Sequence, residues 1–216
     1  MNKLKKEYYF IAVLLICFVF LTIFVVLGRT NLIDEAFYNG VTNFENDTTT
    51  KVLYIITNLA STIGIIVLIV LTGIIFWKNK SISDFKYVVL NVGIGALVVQ
   101  ILKLVIKRSR PIWKWIVQDG FSYPSGHTIT AFLFYGTLIL LVYKKVNNKW
   151  KKPLIFMLLT MIILTGFSRI YFGAHYLTDV VASLILGSII LIISNMFMNK
   201  EYNNDKNKDR KTIQAK

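Results

Sequence analysis

The chain has 216 residues, 55% of them hydrophobic, with a mean hydropathy of +0.59. A water-soluble domain of this length has too little polar surface for such a composition, so the class is a polytopic membrane protein. The formal net charge is +14, but the basic residues alternate with apolar runs, which argues against a nucleic-acid partner and for anionic membrane lipids.

Crossing a bilayer as a helix takes about 18 to 25 apolar residues. Six stretches supply them, at 8–27, 52–77, 87–106, 128–143, 154–172 and 177–198. They are continuously apolar and lack the alternation of barrel strands, so the expected fold is all-α with six transmembrane helices. The fourth run is short and is expected to begin a few residues earlier.

The first run follows MNKLKKEYYF. It is too long for a secretory h-region, and no small-residue cleavage site follows Leu27, so it reads as a retained helix. Cys17, the single cysteine, lies inside it. That leaves neither a disulfide framework nor a cysteine metal site.

Lys3, Lys5 and Lys6 precede the first run, and Lys78, Lys80 and Lys86 follow the second. Lys144, Lys145, Lys149, Lys151 and Lys152 follow the fourth, and Lys200, Lys206, Lys208, Arg210 and Lys211 follow the sixth. The positive-inside rule then places both termini in the cytoplasm. A membrane domain over 1–198 and a basic, largely disordered polar tail over 199–216 are expected. Segment 28–51 carries Asp34, Glu35, Glu45 and Asp47 and faces outside. It reads equally as a connector or as a lid, with a short amphipathic helix near 32–43.

One outer segment breaks the charge rule. KRSRPIWKWIVQDGFSYPSGH contains Lys107, Arg108, Arg110 and Lys114. Such cations are either interfacial anchors or ligands for an anion. For Lys107 and Lys114 the anchor reading is preferred, with Trp113 and Trp115 beside them. Lys103 lies inside an apolar run, where a charge costs on the order of 3 kcal/mol and marks a functional partner. It is seven residues before Arg110, so a helix continuing to Pro111 would put both on nearly one face. Pro111 ends any such helix.

In YPSGHT, Ser125 can cap the fourth helix and Gly126 lets a ligand approach the backbone. Helix N-termini attract anions. A bare PSG would mean only a capped helix start, but His127 is one of two histidines, and the other, His175, lies on the same outer side. In SRIYFGAHYLTDV, Arg169 ends the fifth run and a tight turn forms around Gly173. His175 and Asp179 are four apart, so they stack on one helical face. The carboxylate can then fix one imidazole nitrogen and leave the other basic.

Lys103, Arg110, His127, Arg169, His175 and Asp179 thus converge on the outer face. Three cations and a helix N-terminus form an oxyanion cradle. A histidine nucleophile with an orienting Asp, and a second histidine as acid, complete a phosphoryl-transfer site. The pattern points to cleavage of a phosphate ester or anhydride.

KLVIKRSRP, PSGH and SRIYFGAHYLTD resemble the three motifs of the type 2 phosphatidic acid phosphatase superfamily, with no motif position substituted. The motifs span about a third of the chain, and the six-helix layout extends the likeness to nearly all of it. The resemblance implies that His175 attacks phosphorus to form a phosphohistidine, oriented by Asp179, while His127 protonates the leaving oxygen. It implies that Lys103, Arg110 and Arg169, with Ser125 and the Gly126 amide, hold the phosphoryl oxygens, and Ser168 completes the third motif.

It further implies no metal, no cofactor, inhibition by vanadate, and a lipid phosphate substrate entering between helices at the outer face of the plasma membrane. Among compact bacterial members, undecaprenyl pyrophosphate is the expected substrate because it appears on that face. Phosphatidylglycerophosphate or phosphatidic acid is the alternative. A lipid phosphate transporter is a rival, disfavoured by the lack of an internal repeat or paired broken helices. A phosphatase of soluble substrates, a sugar phosphate or inorganic pyrophosphate, is another. Oligomeric state is not written in the sequence.

Overall fold

Every expected apolar run folds as helix. The structure, a computed structural model, describes residues 3–112, 118–146 and 149–214, which form eight helices and no strand. These are α1 (Lys3–Val26), α2 (Asn31–Thr42), α3 (Asp47–Leu59), α4 (Thr62–Lys78), α5 (Ile82–Ile106), α6 (Gly126–Lys145), α7 (Lys151–Tyr171) and α8 (Leu177–Gln214). The anchor reading for Trp113, Lys114 and Trp115 lies outside the described residues.

Among the described residues, α1, α5, α6, α7 and α8 are each long and apolar enough to span a membrane. The second expected span is not one continuous helix. It is α3 and α4, bent by 64° at the break between them. Ser61 makes the break: its Oγ accepts from Gly64 N (3.1 Å) and donates to Asn58 O (2.6 Å). A Cβ on Gly64 would lie 2.2 Å from Asn58 O, so the turn closes only on glycine. Hydropathy does not register such a cap, because the flanking residues stay apolar. One bent span is not the paired arrangement of transporters, whose broken helices recur in two related halves.

The fourth span begins at Gly126, ahead of residue 128 as expected. The segment expected as a disordered tail instead continues α8 to Gln214. No Gly or Pro follows Gly187 to stop it, and Lys, Glu, Gln and Arg tolerate helix well. Glu201 ties α8 to the start of α5 by accepting from Lys86 Nζ (2.8 Å) and Tyr87 Oη (2.6 Å).

Helix α6 is the centre of the bundle. Its Ile129, Leu133 and Phe134 pack with Val88, Val92 and Val99 of α5, Leu158 and Ile162 of α7, and Leu186 of α8. Asn91 inside this core is satisfied by donating to Thr137 Oγ1 at 2.8 Å. A second cluster joins Val41 of α2 and Leu53 and Ile56 of α3 to Ile170, Tyr171, Phe172 and Val180. It clamps α2 and α3 against the junction of α7 and α8. The ends of α5 and α7 and the starts of α6 and α8 therefore meet at one end of the bundle.

Candidate active site

The turn between α7 and α8 builds the centre of the site. Gly173 takes a left-handed conformation (φ 61°), and Ala174 N and His175 N both fold back to Arg169 O at 3.0 and 3.2 Å. Asp179 then does two jobs. Its Oδ2 accepts from Tyr176 N at 3.0 Å, capping α8, and stands 3.3 Å from His175 Nδ1. Both residues are buried. Burial, with Arg169, Arg110 and Lys103 nearby, holds the His175 pKa well below its ordinary value, so the ring is neutral.

The cations reach this centre by different routes. Helix α5 stops at Ile106, and Lys107 caps it in a left-handed conformation (φ 51°). The continuous helix that would have put Lys103 and Arg110 on one face does not form. The loop instead folds Arg110 back: its Nη1 donates to Ala174 O (2.9 Å) and meets His175 Nε2 at 3.3 Å. Its Nε and Nη2 donate to Gly120 O and Asp119 O, each at 3.1 Å. Arg169 is buried at the end of α7, with Nη1 donating to Thr57 Oγ1 and Nη2 to Gln118 Oε1 (2.7 Å). Its Nε is buried without an acceptor. Leaving such a donor unmet costs about 1–3 kcal/mol.

Lys103, Arg110, Gly126, His127 and His175 line one cavity of about 610 Å³. A Cβ on Gly126 would only touch Val99 at 3.9 Å, so packing within the protein does not demand glycine there. Asp179 stands behind His175. Ser125 is buried and caps α6, its Oγ accepting from Thr128 N (3.4 Å) and Thr128 Oγ1 (2.9 Å). Its backbone is joined to α8, because Ser125 N donates to Asp179 O (3.3 Å) and Ser183 Oγ donates to Ser125 O (2.9 Å). Ser168 is also buried, and its hydroxyl donates to Thr165 O at 2.7 Å within α7. Neither these serines nor Arg169 are among the residues lining the cavity, and Arg169 reaches its edge only through Gln118.

Sequence reasoning passed over several residues that the fold brings here. Gln118 Oε1 accepts from both Arg110 Nη1 (3.1 Å) and Arg169 Nη2. Arg108, read only as one loop cation among four, forms ion pairs of 2.7 Å with both Asp34 and Asp179. Burial acts to lower its pKa, but the two carboxylates outweigh it and hold the guanidinium above its ordinary value. Helix α2 forms where the amphipathic pattern placed it. None of its residues line the cavity; it sits behind the His–Asp pair rather than over the opening. Among the described residues, no group of His, Cys, Asp or Glu is arranged to hold a metal ion.

Residues 85–203 match the PAP2 superfamily. The chain is 28% identical over 189 residues to Phosphatidylglycerophosphatase B of Bacillus subtilis (strain 168), covering 85% of this chain and 93% of that protein. It superposes with a TM-score of 0.81 on the crystal structure of a transmembrane PAP2 type phosphatidylglycerolphosphate phosphatase from Bacillus subtilis. That match has 27% identity and covers 89% of this chain and 97% of the other. Aquifex aeolicus LpxE shares the fold, with a TM-score of 0.58 at 24% identity over 75% of this chain and 94% of the other.

Proposed function

This chain belongs to the PAP2 superfamily, and from that premise we propose that it is a membrane lipid phosphatase acting on phosphatidylglycerophosphate. The observation that carries the reading is a neutral, oriented histidine at the head of a cationic cavity with an apolar extension. From Lys103 the cavity continues between α4 and α5, past Ile65, Ile66, Ile69, Gly93 and Val89. Ile66 and Val89 are 55% and 43% exposed, so the groove opens toward the membrane. From Val89 to Lys103 the helix rises roughly 20 Å, a length suited to an acyl chain. Undecaprenyl pyrophosphate, expected from the sequence, takes second place because the similar proteins covering most of this chain are named for phosphatidylglycerophosphate.

His175 Nε2 attacks phosphorus while the bond to the leaving oxygen breaks. The leaving oxygen takes the bonding electrons and a proton from His127. Asp179 accepts the hydrogen bond from Nδ1 and stabilises the positive charge that the ring acquires. Arg110, Arg169, Lys103 and the N-terminus of α6 hold the phosphoryl oxygens. Water, giving its proton to His127, then releases phosphate and restores the imidazole. The cavity end faces outward and both termini face the cytoplasm, because the lysine-rich connections gather at the opposite end of the helices.

Phosphate release by the purified protein, with chelator present, tests the reading across phosphatidylglycerophosphate, undecaprenyl pyrophosphate, phosphatidic acid and a soluble ester. Release that is fastest from phosphatidylglycerophosphate and absent in His175→Ala is the expected result. Faster turnover of the diphosphate would restore the polyprenyl substrate, and activity surviving His175→Ala would overturn the mechanism.

A further inference from the structure

Asp34 and Asp179 come from opposite ends of the chain and share one guanidinium. Arg108 Nη1 donates to Asp179 Oδ1 and Nη2 to Asp34 Oδ2, both at 2.7 Å. The Arg108 side chain is 11% exposed and both carboxylates 0%. Asp34 is itself fixed to α8, accepting from Thr178 N at 3.0 Å and from Thr178 Oγ1 at 2.9 Å. The guanidinium lies over the Tyr176 ring, 3.9 Å from its centroid. Every member of the cluster is thus held from at least two sides.

We propose that Asp34 is a positioning residue that acts through Arg108 to keep Asp179 a strong hydrogen-bond acceptor for His175. A buried carboxylate next to a lone arginine gives up much of its charge to that partner. Asp179 turns Oδ1 to Arg108 and Oδ2 to His175, so whatever Arg108 draws off is lost to the imidazole. A second carboxylate on the same guanidinium divides that pull. Two anions and one cation leave the Asp34–Arg108–Asp179 cluster with a net charge of −1, the same as an unpaired aspartate, but with the geometry fixed. When the imidazole becomes positive during phosphoryl transfer, that net charge lies directly behind it. This also gives α2 a chemical role, since the helix supplies the second carboxylate from outside the cavity.

The inference rests on His175 being the nucleophile, and the variants separate the two claims. Asp34→Asn keeps the size of the side chain and an acceptor for Thr178 N, removes the charge, and replaces the Oδ2 acceptor of Arg108 Nη2 and Thr178 Oγ1 with an amide N–H. It should lower the thermal midpoint, because Arg108 loses one of its two buried carboxylate partners, but leave KM within about two-fold of wild type, while kcat and the single-turnover rate of phosphoenzyme formation fall roughly ten-fold or more, the scale on which metal-bound histidines depend on their outer partners. A folded Asp34→Asn enzyme with a kcat within about three-fold of wild type, beside an inactive His175→Ala, would overturn the role of Asp34 alone. Activity in His175→Ala would overturn the nucleophile and this inference together. If Asp34→Asn does not fold, Asp34→Glu decides: activity within about five-fold of wild type supports a charge effect, and a folded but inactive Asp34→Glu rejects it.

Discussion

Arg110 Nη1 lies 3.3 Å from His175 Nε2, on the side of the imidazole turned away from Asp179. A guanidinium can only donate, so Nε2 is the acceptor and the proton of the neutral ring sits on Nδ1. The Asp179 carboxylate, 3.3 Å from Nδ1, requires the same tautomer. Both neighbours therefore put the lone pair on Nε2, where a phosphoryl group entering the cavity would take the place of Arg110 Nη1.

That assignment has a pH consequence. Burial and the surrounding cations hold His175 well below its ordinary value. In the proposed mechanism the neutral ring is the nucleophile, and a lowered pKa keeps it neutral as pH falls through about 6.5. With a good leaving group, phosphoenzyme formation should hold its rate from about pH 6.5 to about 5.5. Rapid-quench labelling checks this, and a loss centred near the ordinary imidazole value would count against it. Stability behaves differently: below about 6.5 the unfolded chain binds a proton that the folded site refuses, so folding stability falls with pH, and less steeply in His175→Gln.

His127 lines the cavity from the first turn of α6. In its proposed role as the acid for the leaving oxygen, it matters least when that oxygen leaves easily. His127→Ala should lose about 100-fold or more in turnover of the lipid phosphate, yet still accumulate phosphoenzyme from an activated aryl phosphate. Complete loss of labelling would count against a pure acid role for His127.

Gln118 puts one amide oxygen between the Arg110 and Arg169 guanidiniums. A phosphoryl oxygen bound there has to replace or share it. Gln118→Glu installs a competing anion and should raise the inhibition constant for vanadate by about ten-fold or more. Gln118→Ala should leave it within about three-fold. Equal inhibition of both variants would move the anion site away from this arginine pair.

The groove along α5 offers a test of substrate class. Gly93 lines the groove, and a Cβ there would meet nothing within 4 Å, so a side chain can start from this position into the groove. Gly93→Phe should lower kcat/KM for a long-chain lipid phosphate about ten-fold or more and leave a soluble ester within about three-fold. Equal losses on both substrates would show that the groove does not hold the lipid chain.

Orientation can be read in intact cells. Asp119 is exposed at the cavity end. In a Cys17→Ala background, Asp119→Cys should react with a membrane-impermeant maleimide before lysis. Labelling only after lysis would invert the proposed topology.

Much of this protein is determined by sequence alone. Apolar run length specified the helices because a bilayer leaves the backbone no other way to satisfy its hydrogen bonds. Charges placed at the ends of those runs had few positions available, so Lys103, Arg110, His127, Arg169, His175 and Asp179 could be selected by kind and spacing. The His175–Asp179 contact was legible for the same reason: four residues across a helix start is a local distance.

What the tertiary structure decided is non-local. Asp34 and Arg108 are 74 residues apart, and no periodicity links them; they meet because α2 packs on the junction of α7 and α8. The bend at Ser61 depends on one hydroxyl and one missing Cβ, which hydropathy does not weigh. Arg110 reaches His175 through a folded loop rather than along a helix face. Local pattern specifies which groups lie near the bilayer surface, whereas packing between distant helices decides which of those groups touch.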